Sequence, residues 1–512
     1  MQFDDLTLIS CRLSNQRQGA PPLGPMYLVS VLRSLGWSVS LVDFQTVTGS
    51  HIFDIPGLVK TIHETTGPVV GISLFSDALP LVLASIRAHN STYTRRAFIL
   101  GGPGVNGNEH DILTLYPEVD AIVRGEGETV LPEVLLALRE GKAPSGPGIF
   151  SRSKGNGDQG ISPRRIEDLD KIPRPDFESL DLTLYSRVPI VTSRGCPFDC
   201  SFCEIITMWG RSTGFRSVPD VIAELGHLVS IAPNLPIDFI DDTFTLNRKR
   251  VLTLCDQIVS QGYTFRWTCF SRIDTIDEEM MAAMAAAGCY NVFYGIDTGS
   301  ELIWRGINKR LSREQVMRTV ATSLKYFDVT ASYIWGYPEE TLADFSDTVD
   351  LSFDVACILG ERRVTTQLHF LSPTRATPIF SQWGNTLRLS ESVELEILGG
   401  SPLRRHRNRP GYQTCIDLIR SNRDLFASFY YYDSPDLEEK MAIVRSAQGI
   451  VVNSSGRRLL AGNSRDTACR ELERCLATAQ SGTPHERLSA RIAYPRVREG
   501  DECQLSSLFE GF

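Results

Sequence analysis

The chain has 512 residues, 42% hydrophobic and 22% charged, enough for about two to four ordinary soluble domains. Its 52 Lys and Arg against 61 Asp and Glu leave a formal net charge of −9, which argues against a general nucleic-acid or membrane-surface binder. The most apolar stretch, MMAAMAAAG from Met280, falls far short of the ~20 residues a spanning helix needs. The opening MQFDDLTLIS runs into a strand-like segment rather than a leader, so no membrane association and a cytoplasmic protein are expected. The 12 cysteines of such a chain would be reduced thiols rather than a disulfide framework.

In chain order, strands are predicted at LTLIS (from Leu6), SVSLVD (from Ser38), VVGISLF (from Val69), AFILGG (from Ala97) and AIVRG (from Ala121). Helical patterns lie between them, including MYLVSVLRSLG, LVLASIRAHN and VLPEVLLALRE. This alternation predicts an α/β domain over residues 1–142, with a five-stranded, doubly wound parallel sheet. Residues 143–185 are rich in Gly, Ser, Pro and charge and read as a linker. Alternation restarts over 186–382 with PIVTSR, PIDFIDD, FRWTCFSR, NVFYGID, VTASYIWGY and RVTTQLHFLSP, separated by runs such as RVLTLCDQIVSQG and EEMMAAMAAAG. Six β/α units are too few for a closed eight-unit barrel and predict an open partial one, with ligands at its C-terminal strand ends. Over 383–512 the pattern weakens into mostly helical segments, among them LEEKMAIVRSAQGIVV and RDTACRELERCLATAQ, and no solenoid repeat is found.

The stretch SRGCPFDCSFCE places Cys196, Cys200 and Cys203 in a C-x-x-x-C-x-x-C pattern just after the first strand of the second set. Iron–sulfur clusters are held by Cys thiolates, and three ligands on a four-iron cluster leave one iron open to bind a small molecule. Three structural cysteines, or a zinc site completed from elsewhere, are the alternatives at this point. With Phe202 as the aromatic inside the motif, the triplet resembles the signature of radical S-adenosylmethionine (SAM) enzymes. The resemblance implies a [4Fe-4S] cluster on these cysteines, whose open iron chelates SAM and whose electron cleaves it. IDDTFTLNRKR, SRID, GIDTGSE and IWGYPEET resemble the family's later strand-end motifs in order, implying contacts to SAM from Asp242, Arg272, Asp297 and Ser332. Arg272 would pair with the SAM carboxylate through its planar fork. Asp297 departs from the family pattern, which carries Glu in that place.

At the strand ends of the first domain stand PPLGPMY with Leu23 and Gly24, SLFSD with Phe75, Ser76 and Asp77, GGPGVNG with Gly101, Gly102 and Pro103, and RGEGE with Gly125, Glu126 and Gly127. Ahead of a radical SAM barrel, they resemble the cobalamin-binding domain of the B12-dependent radical SAM family, over roughly residues 5–380. Cobalamin contacts from these residues are implied, with Phe75, Ser76 and Asp77 toward the lower face of the corrin. None of the 8 histidines has Asp two positions before it, so the mutase-type Asp-x-His-x-x-Gly is missing and histidine ligation of cobalt is not expected. Gly104 stands where the family often has His.

By resemblance, the expected activity is methyl transfer from SAM, through cobalamin, to unactivated carbon of a small-molecule or peptide substrate. Electrons would come from a donor such as flavodoxin or ferredoxin. Oxidative cyclisation or ring rearrangement is the nearest alternative, and a cobalamin sensor without catalysis a more distant one. No catalytic residue beyond the cofactor contacts is identified. RRHRNRPGYQ (from Arg404) and FYYYDSP (from Phe429) are expected to cover the barrel mouth and grip an acidic or aromatic substrate.

Overall fold

Short β-branched runs separated by amphipathic segments leave the first part of the chain one way to bury both faces of its strands: a parallel sheet between two helix layers. The computed structural model describes residues 5–11, 19–152, 163–389, 408–460 and 465–499. Its first sheet contains β1 (Leu6–Cys11), β2 (Val39–Asp43), β3 (Val69–Leu74), β4 (Ala97–Gly101), β5 (Ala121–Val123) and β6 (Ile149–Ser151), in the order β2-β1-β3-β4-β5-β6. The intervening helices are α1 (Leu23–Ser34), α2 (Ile55–Glu64), α3 (Leu79–Thr92), α4 (Glu109–Leu115) and α5 (Gly127–Arg139). Alternate strand residues divide between the layers: Leu6, Leu8, Val69 and Ile99 pack with α1 and α5, while Ile9, Ile72, Leu74 and Leu100 pack with α2 and α3.

The sheet has one strand more than expected, because β6 pairs antiparallel with β5 from within the segment read as linker. Only IFS forms it, held as Arg124 N–H donates to Gly148 O at 2.9 Å, and the surrounding Gly and Pro concealed it. Part of the expected linker, 153–162, lies outside the described residues.

The second sheet holds the expected six parallel strands: β7 (Val188–Ile190), β10 (Ile237–Phe239), β11 (Trp267–Ser271), β12 (Cys289–Asp297), β13 (Asp328–Trp335) and β14 (Val364–Phe370), each hydrogen-bonded to the next. A hairpin of β8 (Ser193–Arg194) and β9 (Gly214–Phe215) interrupts the first unit. Helices α6 (Ile205–Trp209), α7 (Val218–Ile231), α8 (Arg248–Ser260), α9 (Glu278–Ala286), α10 (Glu301–Gly306), α11 (Arg313–Ser323) and α12 (Leu342–Ala356) link the strands. Outward residues Tyr294, Tyr333 and Trp335 are fully buried under helices, whereas Thr268, Phe270, Asn291, Phe293, Gln367 and His369 alternate onto an inner face and stay partly open. The C-terminal region adds α13 (Pro378–Trp383), α14 (Tyr412–Ser421), α15 (Leu437–Leu460), α16 (Arg465–Ser481) and α17 (Pro484–Glu499). A short ladder joins β15 (Leu387–Arg388) to β16 (Tyr431–Tyr432). Among the described residues no helix is long and apolar enough to cross a membrane.

The C-terminal strand ends of the two sheets meet. Arg194 donates to Glu126 at 2.9 Å and Glu128 at 2.7 Å, with its guanidinium over the Tyr27 ring at 5.2 Å. Ile166 N–H donates to the other Glu126 oxygen at 2.6 Å, and Arg165 lies 3.4 Å from it. Next to this clamp, Ala376 after β14 sits where a Cβ on Gly107 would touch it, and Arg375 pairs with Asp111.

Removing one partner of a buried ion pair leaves an uncompensated charge, at about 3–5 kcal/mol. Arg194→Met is therefore expected to destabilise the fold by about that much, read as a lowered urea midpoint. Adding Glu126→Gln and Glu128→Gln should recover part of the loss; a single variant unfolding at the wild-type midpoint would contradict a charged clamp.

Candidate functional site

Gly195 leads the chain from β8 into the cysteine loop at φ +93, and a Cβ there would lie 2.3 Å from Ser212 O. A left-handed turn with that approach admits only glycine. Cys196, Cys200 and Cys203 follow as free, half-buried thiols. Burial raises the Cys200 thiol, with Cys196 adding to the shift, and pushes Cys203 up to about 12, where Cys200 and Cys196 both add to it. Since only thiolates bind metal, loading would displace protons from the three cysteines of this loop. Among the described residues no three His, Cys, Asp or Glu side chains converge closely enough to hold one metal ion. A four-iron cluster instead asks each thiolate to reach a different iron, so this three-thiol loop fits a cluster with one open iron. Cys196 Sγ lies 3.5 Å from Thr243 Oγ1, and Arg272 Nη1 lies 3.7 Å from Cys200 Sγ.

The residues expected to contact SAM surround this loop but are not equally free. Asp242 accepts the Gly195 N–H at 2.9 Å, and burial pushes its carboxyl up to about 6 despite that bond. One of its oxygens therefore holds the neck of the loop. Arg272 closes its fork on Asp274, with two bonds of 2.8 Å, rather than leaving it open for a ligand carboxylate. Asp297 sits at φ 72 where the β12–β13 register shifts, and Lys309 Nζ binds both its Oδ2 and Gly295 O at 2.5 Å. In that buried pair the Oδ2 of Asp297 is held by a protein cation. Ser332 lies inside β13, opposite Gly295 and Gln367, rather than at the strand end. Phe202 packs edge-on against Tyr337, at 6.1 Å between centroids, and the buried Tyr337 hydroxyl has no hydrogen-bond partner among the described residues. Lys309 and Tyr337 went unread. A lysine inside RGINKRLS reads as a solvated charge, and burial is a tertiary property; for Tyr337, only its place in IWGYPEET marked the loop.

In the first domain the order β2-β1-β3-β4 puts the topological switch between β1 and β3, where doubly wound sheets bind ligands. Leu23 and Gly24 begin α1 on one side, with open space where a Cβ on Gly24 would stand. Phe75, Ser76 and Asp77 follow β3 on the other, and Phe75 is 43% exposed, an unusual state for an aromatic at the end of a buried strand. Gly101, Gly102 and Pro103 lie one strand further on. A Cβ on Gly102 would meet Leu74 O at 2.7 Å, and one on Gly104 would meet the Phe75 carbonyl carbon at 2.5 Å. This glycine run packs the β4 loop onto the β3 loop, which explains Gly104 without a ligand. In RGEGE both Glu126 oxygens bind protein donors, a Cβ on Gly125 would strike Pro163, and one on Gly127 would crowd Leu28, so the loop is engaged with protein on these sides. The open space at Gly24 and the exposed Phe75 ring, on either side of the switch point, fit a large flat cofactor.

The aromatic run of FYYYDSP does not lie open to grip a substrate. Phe429, Tyr430, Tyr431 and Tyr432 are buried, Tyr430 donates to Ile419 O at 2.9 Å, and Tyr431 packs on Phe370. Of the basic run, residues 404–407 lie outside the described residues. The open surface is instead the inner face of the barrel, with Phe270 against Phe293 at 5.1 Å and His369 Nε2 3.1 Å from Gln367 Oε1.

Comparison with known proteins matches this geometry. The B12 binding domain profile covers residues 11–135 and the radical SAM superfamily profile residues 190–352. An uncharacterized methyltransferase of Pyrococcus horikoshii is 33% identical over 64% of this chain and 72% of its own length. The anaerobic magnesium-protoporphyrin IX monomethyl ester cyclase of Rubrivivax gelatinosus is 26% identical over 65% of this chain and 62% of its own. Two solved structures share the fold. The radical SAM methyltransferase TsrM of Kitasatospora setae, solved with cobalamin and a [4Fe-4S] cluster bound, has a TM-score of 0.63 and 18% identity over 85% of this chain and 84% of that one. The cobalamin-dependent SAM radical enzyme OxsB has a TM-score of 0.67 and 15% identity over 98% and 78%. A three-thiol loop at the barrel strand ends, clamped to a B12-type sheet and matched across both halves, makes the chain a member of the cobalamin-dependent radical SAM enzymes.

Proposed function

We propose that the enzyme is a methyltransferase that moves a methyl group from SAM to an unactivated carbon of a small molecule or peptide. The observation that carries this is the facing of the cysteine loop and the β1/β3 switch crevice, joined through the Arg194 clamp. Bound there, the cluster, SAM and cobalamin would supply reductive SAM cleavage and methyl carriage. The protein's part is to bind, orient and keep out water. Cys196, Cys200 and Cys203 would hold the cluster, and Phe202 would pack beside it against Tyr337. Ser332 and the backbone around Gly295 would line the SAM side, with Lys309 holding Asp297 in its left-handed turn. Leu23, Gly24 and Phe75–Asp77 would cradle cobalamin, and Gly101–Pro103 would wall the crevice. The inner face, with Phe270, Phe293, Asn291, Gln367 and His369, would take the substrate. Electrons would come from a flavodoxin- or ferredoxin-type donor. The Pyrococcus horikoshii relative, at 33% identity against 26% for the cyclase, is named a methyltransferase, which favours methyl transfer over the cyclase reading.

Replacing Cys196, Cys200 and Cys203 together by Ala should remove the iron–sulfur absorbance of reconstituted protein and all 5′-deoxyadenosine formation. Retention of both in the triple variant would refute the assignment.

With Phe75 rather than His at the crevice mouth, the Co(II) form of bound cobalamin should show no nitrogen hyperfine splitting in electron paramagnetic resonance (EPR). Clear splitting would mean that a protein or base nitrogen reaches cobalt.

Methyl transfer requires SAM in two roles, so turnover should give S-adenosylhomocysteine and 5′-deoxyadenosine in roughly equal amounts, with label from the SAM methyl in the product. If 5′-deoxyadenosine accumulates alone and the product is unlabelled, the cyclase-type reaction takes its place.

A further inference from the structure

Arg272 stands just beyond β11 and is 8% exposed. Three neighbours fix its guanidinium. Asp274 takes Nε and Nη2 side-on, both at 2.8 Å. The Phe198 ring lies under the guanidinium carbon at 3.7 Å, and the remaining nitrogen, Nη1, points at Cys200 Sγ from 3.7 Å. Phe198 and Cys200 belong to the same loop, so the side chain that orders the loop also presents an N–H to one of its sulfurs.

We propose that Arg272 is a positioning residue that donates through Nη1 to the Cys200 sulfur and raises the reduction potential of the cluster on this loop, rather than serving as a SAM ligand. This rests on the cluster assignment above. Reduction adds one electron from an external donor and breaks no bond, leaving the cluster and its three thiolates more negative by one charge. A cationic N–H donor at a ligand sulfur favours that reduced state, because hydrogen bonds and nearby charge set cluster potentials. Asp274 offsets part of the charge but leaves the directed hydrogen bond in place. Its carboxylate is what stops the fork from turning toward a ligand.

The test uses reconstituted full-length protein and the variants Arg272→Met, Arg272→Lys and Asp274→Asn. Iron content is measured first, then the cluster's redox titration followed by EPR, then SAM affinity by equilibrium binding. Arg272→Met is expected to keep its iron and to lower the reduced-to-oxidised ratio at fixed potential about tenfold, equivalent to ~59 mV for a one-electron couple. Arg272→Lys keeps the charge without the fork and should fall between, whereas Asp274→Asn removes the offsetting carboxylate and leaves Arg272 in place, so its midpoint should lie above that of the wild type. SAM affinity should change less than threefold. If Arg272→Met fails to load iron, the lysine and asparagine variants decide. An unchanged midpoint in these variants overturns the proposal, and a tenfold loss of SAM affinity at constant midpoint returns Arg272 to the SAM carboxylate. Absence of iron from the wild-type protein would instead refute the cluster assignment, a separate failure.

Discussion

Arg194 lies two residues before Cys196 and is gripped by Glu126 and Glu128 from the other sheet, and the rest of the site depends on that contact. Chemistry in each half sits on loops at C-terminal strand ends. Neither loop set is useful unless the other stands at a fixed distance and angle. A hydrophobic interface would resist separation but permit sliding. A fork bonded to two carboxylates, stacked on Tyr27 and backed by Arg165, has one geometry. Desolvating these charges is costly, so their worth lies in specifying position more than in stability.

The clamp extends into the cysteine loop itself. Arg165 donates to Trp209 O at 2.6 Å and Arg194 O at 3.2 Å, closing the neck where β8 and β9 meet. Asp241 reinforces it from below, accepting from Thr192 N–H, Thr192 Oγ1 and Ser193 Oγ, each at 2.6 Å. Both members of the Asp241–Asp242 pair are therefore directed at the loop's entry. The neck is rigid, while the sulfurs sit on a stretch with little regular structure. That division suits a site that must form around a group larger than any side chain.

What could be read from the sequence followed the range of the interactions involved. The six barrel strands and most of the first sheet were legible because alternation and β-branched runs are local signals. The cysteine loop was legible because all three thiols fall within eight residues. The clamp was not, since Glu126 and Arg194 are 68 positions apart and RGEGE looks like a ligand-binding turn. Its glycines answer instead to Pro163 and Leu28. Asp297 was visible as a departure from a pattern, but its partner Lys309 was not, because nothing in RGINKRLS says that this lysine is buried. Strand β6 was hidden for the same reason: IFS pairs with β5 only after the chain has folded back.

The aromatic run of the C-terminal region carries this argument to the substrate. Its tyrosines are spent on packing, and the turn at Ala427–Phe429 lies against Ser76–Ala78, beside the exposed Phe75. Farther along, Lys440 of α15 is buried on the barrel loop after β13, donating to Glu340 O at 2.7 Å, to its carboxylate at 3.2 Å and to Ser434 Oγ at 3.1 Å. Both side chains are fully buried, and that burial pushes Glu340 up to about 7 even beside this cation. One region thus touches both the switch-point loop of the first sheet and the strand-end loop of the second. Under the proposed function it would serve as a wall common to both halves, where chemistry must exclude water. Under the same proposal selectivity would fall to the inner strand positions, where Phe270, 42% exposed, and the Gln367–His369 pair offer an aromatic face beside hydrogen-bonding groups.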